Sequence, residues 1–127
     1  ISDKLLYFKK AQFVVLPKQS KSQYQEYKKD ALILATEKVL FWNRYYGLNF
    51  KDISIKNQKT RWGSCSRDKK LSFNYKIVFL TSELQDYLVV HELCHLSQFN
   101  HSKHFWSLVA KTMPDYKRLR SELKRYK

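Results

Sequence analysis

The sequence predicts a single α+β domain over residues 1–127, in which helices flank a small three-stranded antiparallel sheet. Three observations predict this class: a long segment with apolar residues at three- and four-residue steps, three short alternating segments after it, and further helical patterns from about residue 82. The chain is 43% hydrophobic and has only two Gly and two Pro. One modest core with regular elements and short connections is therefore expected.

The N-terminal segment is ambiguous, and a long helix follows it. Residues 5–8 could belong to a short helix, whereas residues 13–16 have the character of a strand stopped by Pro17. A polar stretch at 18–22 then leads into the long helix. This helix is expected to end at Gly47, because glycine readily takes the left-handed conformation found just after many helices.

Three short segments of alternating polarity predict strands at residues 52–56, 61–66 and 71–75. Polar turns at 57–59 and 67–69 separate them, which makes an antiparallel arrangement the economical one.

Helices are expected to complete the chain. The second helix should begin near Ser82, which has the spacing of a capping box with Gln85, and run to about Ser97. A third helix follows Ser102, and Pro114 separates it from a final basic helix.

The net charge of +14 is spread along the chain, apart from one dense basic stretch at 117–127. Such a charge fits a solvated, solubilising surface. It also fits attraction to phosphate-bearing or acidic partners, nucleic acid included. Composition leaves both interpretations open.

Composition also bears on the compartment. No apolar run approaches the roughly 20 residues needed to cross a bilayer, so no membrane partner is expected. Two cysteines, Cys65 and Cys94, fit a reducing cytosol better than a disulfide framework, which predicts a cytoplasmic protein. Because the chain begins with Ile1 rather than Met, a removed upstream segment stays open.

The histidines predict a metal site. All four lie between positions 91 and 104, and residues 91–95 read His-Glu-Leu-Cys-His. His91 and His95 are one helical turn apart, about 6 Å along the axis and about 40° around it, so both imidazoles leave one face. Glu92 follows the first histidine, and its longer side chain can reach a water on the metal. This geometry makes the HExxH motif a zinc hydrolase signal.

A third protein ligand is required, because two histidines hold zinc weakly. His101 follows His91 by ten residues, and the segment between His95 and His101 is long enough to end the helix and turn the chain back. The spacing equals that of the metzincins, although Gln98 stands where they have glycine. His104 is a rival third ligand.

Three protein ligands leave the fourth position of zinc to water, which indicates a catalytic site. Zinc lowers the pKa of that water towards about 7, and Glu92 could take its proton and deliver it to the leaving group, a role worth about 10²–10⁴-fold. A closed structural site that uses a cysteine is the alternative. Consecutive helical positions diverge by about 100°, so Cys94 cannot easily share a metal with His95; both thiols are interpreted as small buried hydrophobes.

Several segments together resemble a known family. They are Asn57-Gln58-Lys59-Thr60-Arg61-Trp62-Gly63-Ser64-Cys65-Ser66, Leu71-Ser72-Phe73-Asn74, the stretch from Tyr87 to Leu96, Asn100-His101-Ser102 with Phe105-Trp106, and Pro114-Asp115-Tyr116-Lys117. Over about residues 24–126 the chain resembles the YgjP-like metallopeptidases, which are related to the SprT-like and WLM zinc proteases and to minimal gluzincins. Residues 1–20 match poorly, and Leu80-Thr81-Ser82 replaces the prolines usual before the active-site helix.

The resemblance implies a zincin-like fold in which His91, His95 and His101 bind one zinc ion and Glu92 is the catalytic base. It also implies that the strand containing Arg61 to Cys65 lies beside the active-site helix, where an extended peptide could pair with it. Zinc-dependent hydrolysis of peptide or protein substrates is thus the leading hypothesis. Two alternatives stay open: a zinc-dependent nucleotide pyrophosphatase or phosphohydrolase, and a non-catalytic nucleic-acid-binding zinc module. The sequence does not indicate an oligomeric state.

Overall fold

The computed structural model describes residues 8–10, 13–16 and 18–126. The strand expected at 13–16 is present as β2 (Phe13–Val15), which pairs antiparallel with β1 (Phe8–Lys10). The short helix considered for residues 5–8 is wrong at Phe8, which belongs to β1. Leu5 and Leu6 lie outside the described residues.

The long helix α1 (Lys21–Tyr46) is capped at both ends as its sequence dictates. The Ser20 hydroxyl accepts a hydrogen bond from the Gln23 backbone N–H at 3.1 Å, and Gly47 takes a φ of 61° after the last turn. The buried face repeats every four residues: Tyr27, Ala31, Ala35 and Val39. Its two alanines let α1 pack closely against the sheet and the second helix.

The sheet contains β3 (Asp52–Lys56), β4 (Gly63–Cys65) and β5 (Lys70–Asn74), in the order β3-β5-β4. The predicted strands are confirmed, but the antiparallel arrangement is wrong for one pair. β4 runs antiparallel to β5, whereas β3 runs parallel to β5. Since β5 occupies the centre, the chain leaves β3, crosses to the far edge to form β4, and returns by a turn at 66–69.

The helix that carries His91 and His95 is α2 (Ser82–His95), which follows a 3₁₀ helix (Tyr75–Phe79). The cap of α2 is Thr81, one residue before the predicted Ser82, and its hydroxyl accepts from the Leu84 N–H. Gln85 is not part of a capping box; it is buried, and its amide donates to the backbone carbonyls of Ile77 and Leu80.

Two further helices confirm the predicted C-terminal order. Ser102 caps α3 (Lys103–Ala110), and α4 (Tyr116–Leu123) follows Pro114. The α+β class is confirmed: α1, α3 and α4 surround α2 and the small sheet. Within the described part of the chain, none of these helices combines the length and apolar character that a membrane crossing requires.

Candidate metal centre

Three imidazole rings meet at one point beside α2. His91 and His95 extend from one face of the helix, and His101 comes from the loop that leads into α3. Their Nε2 atoms form a nearly equilateral triangle, with separations of 3.2 Å between His91 and His95, 3.1 Å between His95 and His101, and 3.2 Å between His91 and His101. Within the described residues these three form the group suited to hold a metal ion.

The donor set fits a metal ion. Nδ1 of His95 lies 2.9 Å from the Gln98 carbonyl oxygen, so it must carry the proton and donate, which leaves a lone pair on Nε2. Lone pairs that face one another at about 3 Å repel unless a cation lies among them. A tetrahedral ion with metal–nitrogen distances of about 2.0–2.1 Å holds its nitrogens about 3.3–3.4 Å apart, close to the separations found.

Burial keeps two of the rings neutral. It lowers the pKa of His91 to about 3, helped by the neighbouring rings of His95 and His101 and by the Arg120 charge. Burial also lowers the pKa of His95, against the hydrogen bond to Gln98. A neutral imidazole is the form that binds metal, so the site is prepared for a cation at neutral pH.

Aromatic side chains of α3 form the support for the three rings. Phe105 is fully buried and stacks on His95 with 4.4 Å between ring centroids and a 24° interplanar angle. Trp106 stacks on His101 at 5.8 Å and 25°. Tyr116 stacks on the same indole at 4.8 Å. The ring of His101 is exposed to solvent on part of its surface, and its stacking on Trp106 holds it in position.

Glu92 lines the same cleft as the three histidines. Its side chain is 5% exposed, and burial raises its pKa to about 8 despite the opposing charge of Arg61. β4 reaches it through Gly63: a Cβ there would lie 3.0 Å from both Cγ and Oε2 of Glu92 and 3.1 Å from the Ser72 carbonyl oxygen. Glycine at position 63 therefore leaves the space that the carboxyl group occupies.

Comparison with known proteins now decides the family. Residues 8–126 match the family described as YgjP-like, metallopeptidase domain. The chain belongs to the YgjP-like metallopeptidase family. The match begins at Phe8, so it includes most of the N-terminal segment that was expected to match poorly. Among curated proteins, none matches this chain.

Two solved structures share the fold of this YgjP-like chain. The metallopeptidase zymogen abylysin of Pyrococcus abyssi aligns with a TM-score of 0.64 and 21% identity, over 70% of this chain and 90% of its own. The zymogen jannalysin of Methanocaldococcus jannaschii aligns with a TM-score of 0.62 and 23% identity, over 71% and 93%. The likeness confirms the zincin-like fold, and family membership makes this chain a metallopeptidase.

Two clefts open beside the histidines. The first, the metal-side cleft, measures about 460 Å³ and runs along β4 past Ser64, Cys65 and Phe99 to all three histidines. The second, the side cavity, measures about 280 Å³ and extends between α2 and the C-terminal residues. Arg61, Gly63, His91 and Glu92 line both. Glu92 thus lies at the junction of the two clefts.

Asn74 fixes the loop that carries Arg61. This side chain is buried at the end of β5, and its amide donates to the carbonyls of Gln58 at 2.7 Å and Arg61 at 2.9 Å. It also accepts from the Lys76 N–H at 3.0 Å. The sequence places Asn74 on a strand but does not reveal these contacts, because its partners are 13 and 16 residues away.

The remaining candidates take other positions. His104 is exposed on α3 and does not belong to the triangle. Cys94 is buried in the core, as expected. Cys65 differs from that expectation: it is half-buried and lines the metal-side cleft, where burial and the nearby Glu92 raise its pKa to about 11. Neither cysteine belongs to the metal-binding group.

Proposed function

We propose that this metallopeptidase hydrolyses peptide bonds with one zinc ion held by His91, His95 and His101, and with Glu92 as general base. The convergence of three Nε2 atoms to within 3.2 Å of one another, in a cleft that the buried Glu92 also lines, supports this proposal above all others. No other group among the described residues offers three such ligands.

Zinc is the metal we infer from the donor set. Three neutral imidazoles in a tetrahedral arrangement suit zinc, whereas magnesium and calcium prefer oxygen ligands. Three protein ligands leave one position for water or substrate, which is the ligand count of a catalytic zinc site rather than a structural one.

The bound ion would supply Lewis acidity and a water of lowered pKa. The residues of the chain do the rest. Glu92 accepts a proton on its carboxylate and returns it to the nitrogen of the leaving amine, so its pKa must lie near the working pH. Burial has already moved that pKa up from its ordinary range, and Arg61 opposes the shift. A cation bound by the histidines would add to the effect of Arg61.

The position of β4 supports a peptide substrate. β4 is an edge strand of the β3-β5-β4 sheet, and its residues Gly63, Ser64 and Cys65 line the metal-side cleft. An edge strand presents unpaired backbone donors and acceptors, with which an extended peptide can form an additional strand. A peptide paired there would lie across the histidines.

Metal content and peptide hydrolysis test this proposal together. We expect one zinc per chain in the purified wild type by elemental analysis, retained in Glu92→Gln and in the matched control His104→Ala. His101→Ala should lose most of the zinc. Glu92→Gln should lower kcat for a casein-derived peptide by about 10²-fold or more, because it removes the proton acceptor. Full activity in Glu92→Gln, or stoichiometric zinc in His101→Ala, contradicts the assignment.

A nucleotide phosphohydrolase is the second candidate. The observation in its favour is the set of cations around the clefts: Arg61, Arg120 and Lys124 line the side cavity, and Lys59 and Lys76 line the cleft next to it. Release of phosphate or pyrophosphate from nucleoside triphosphates, sensitive to chelator and without peptide cleavage, would favour it.

Association with nucleic acid through the basic surface stays a prediction. Because both cysteines are free thiols, we propose the cytosol as the compartment.

A further inference from the structure

The side cavity has walls and a volume suited to one side chain. Its volume of about 280 Å³ leaves room for one side chain together with water. Five of its eleven lining residues are aromatic or aliphatic: Trp62, Tyr87, Leu88, Leu123 and Tyr126. At its inner end the cavity reaches His91 and Glu92. A substrate bound across the histidines would place one flanking residue in this space.

Three cations line the same cavity. Arg61 enters from the loop before β4, and Arg120 and Lys124 enter from α4 and its C-cap. Across the described residues, none of the three has a carboxylate within ion-pair distance. Among the described residues, the cavity is therefore lined by three cations and one acidic residue, Glu92, so positive charge is in excess.

The acids of the neighbourhood are engaged elsewhere. Glu92 is the acidic residue that lines the cavity, and it also lines the metal-side cleft beside the three histidines. On α4, Arg118 gathers the nearby carboxylates of Glu83, Asp115 and Glu122 at 2.8, 2.6 and 3.2 Å. Arg120, two residues later, instead lies over the face of Trp106 at 5.1 Å. A guanidinium on a ring face keeps N–H donors for a carboxylate.

We propose that the side cavity binds a carboxylate of the substrate, so that the enzyme selects peptide bonds next to Asp or Glu, or next to a free C-terminus. The apolar lining residues suit the methylene groups of such a residue, and the cations that line the cavity suit its charge. This inference rests on the proposed peptidase function and deepens it by naming the substrate class. Both sources present the same group, and the test separates them.

Binding to the inactive Glu92→Gln protein provides the primary measurement. Three fluorescein-labelled peptides would be compared by anisotropy. The first has a C-terminal amide and a Glu that flanks the scissile bond, and the second is the same amide with Gln in place of that Glu. The third is the Gln peptide shortened so that this Gln is its last residue and carries a free C-terminal carboxylate. We expect the Glu amide, the free acid, or both to bind about tenfold more tightly than the Gln amide, the effect of one charge-assisted hydrogen bond. The stronger of the two identifies the source of the carboxylate.

Matched substitutions on α4 test the residues. Lys124→Gln and Lys117→Gln remove the same charge, but Lys117 is exposed and does not line the cavity. We expect the Glu-to-Gln preference to fall towards one in Lys124→Gln and Arg120→Gln, and to persist in Lys117→Gln. Arg120→Lys should restore part of it, since the charge returns without the fork geometry. The same α4 substitutions would also be made in the zinc-loaded protein that retains Glu92. There the ratio of kcat/KM between the Glu and Gln peptides should fall in the same variants, and the change should lie in KM.

The outcomes separate the two proposals. Cleavage of all three peptides with equal binding overturns the carboxylate inference and leaves the peptidase proposal standing. Equal loss of preference in Lys117→Gln and Lys124→Gln also overturns it, because the effect is then one of net charge. Absence of peptide binding and cleavage, together with tight binding of nucleoside triphosphate, overturns both.

Discussion

At the scale of single residues, Gly63 and Glu92 form a pair that the sequence does not reveal as a pair. A Cβ at position 63 would lie 3.0 Å from Cγ and Oε2 of Glu92, tighter than side chains normally pack. The sequence around either residue does not indicate this contact, since the two residues are 29 positions apart. The spacing of His91, His95 and His101 was accessible from sequence because helix periodicity and one short loop determine it.

Gly63→Ala should therefore impair catalysis without removing the metal. The added methyl group displaces the Glu92 carboxyl, and a displacement of about 1 Å can cost 10²-fold in rate. We expect kcat to fall by about 10- to 100-fold, while zinc content stays at one per chain because the atoms nearest to the added methyl group belong to Glu92 and Ser72. Steady-state kinetics beside elemental analysis measures both. Activity within twofold of wild type would show that Gly63 is not needed for the position of Glu92.

Glu92 and His91 should also give the metal-free protein a characteristic pH dependence. Burial raises the pKa of Glu92 from 4.5 to about 8, so between these values the folded state holds a proton that the unfolded chain releases. The contribution of Glu92 to the free energy of unfolding therefore falls as the pH rises. His91, with its pKa lowered from 6.5 to about 3, has the opposite effect, since between these values the unfolded chain binds a proton that the folded state lacks. Above pH 6.5 the contribution of Glu92 is the larger of the two.

We expect the free energy of unfolding in chelator to fall by up to about 2 kcal/mol between pH 6.5 and 8. Urea unfolding at several pH values measures it. Glu92→Gln removes the titrating group, so its stability should be nearly constant over this range. An equal slope in wild type and Glu92→Gln would assign the pH dependence to other groups.

At the scale of elements, α3 determines where the third histidine lies. His101 belongs to an exposed loop, and Trp106 of α3 stacks on it while Tyr116 stacks on the other side of that indole. Trp106→Leu removes this support, so we expect about tenfold weaker zinc binding, as for other groups that orient metal ligands. Competition with a chromophoric chelator gives the affinity, and circular dichroism checks that α3 is retained.

His104→Ala provides the control on the same helix. The His104 ring is exposed and outside the triangle, so the zinc affinity of His104→Ala should equal that of the wild type. If His104→Ala weakened zinc binding as much as Trp106→Leu, the support would come from α3 as a whole rather than from the stacked indole.

The sheet shows which part of an element sequence can and cannot predict. Alternation predicted all three strands, but Ser72 and Asn74 of β5 resemble a solvent-facing row and are in fact buried. Ser72 hydrogen-bonds with Ser54 at 3.1 Å, and Asn74 bonds two loop carbonyls, so both are satisfied without water. A strand buried on both faces belongs at the centre of the sheet. The prediction from polarity assumed that the strands lie in the sheet in their order along the chain, which led to the wrong antiparallel arrangement.

At the scale of the whole molecule, the metal should connect parts of the chain that are otherwise held by packing. Two of the proposed ligands lie on α2, the third lies on the loop before α3, and aromatic residues of α3 and α4 pack against this group. An ion that binds only this folded arrangement stabilises it by about 2.7 kcal/mol at a free concentration 100 times its Kd. For a chain of this size that corresponds to a rise in Tm of roughly 10 °C.

Thermal unfolding with excess zinc and with chelator measures this difference. Glu92→Gln should keep the full rise in Tm, because Glu92 is not among the proposed ligands, whereas His101→Ala should lose most of it. The comparison distinguishes specific binding at the triangle from weak binding at scattered surface groups, which would raise the Tm of all three proteins alike. A rise in His101→Ala equal to that of wild type would show that the stabilisation does not depend on the loop histidine, and would contradict a three-histidine site.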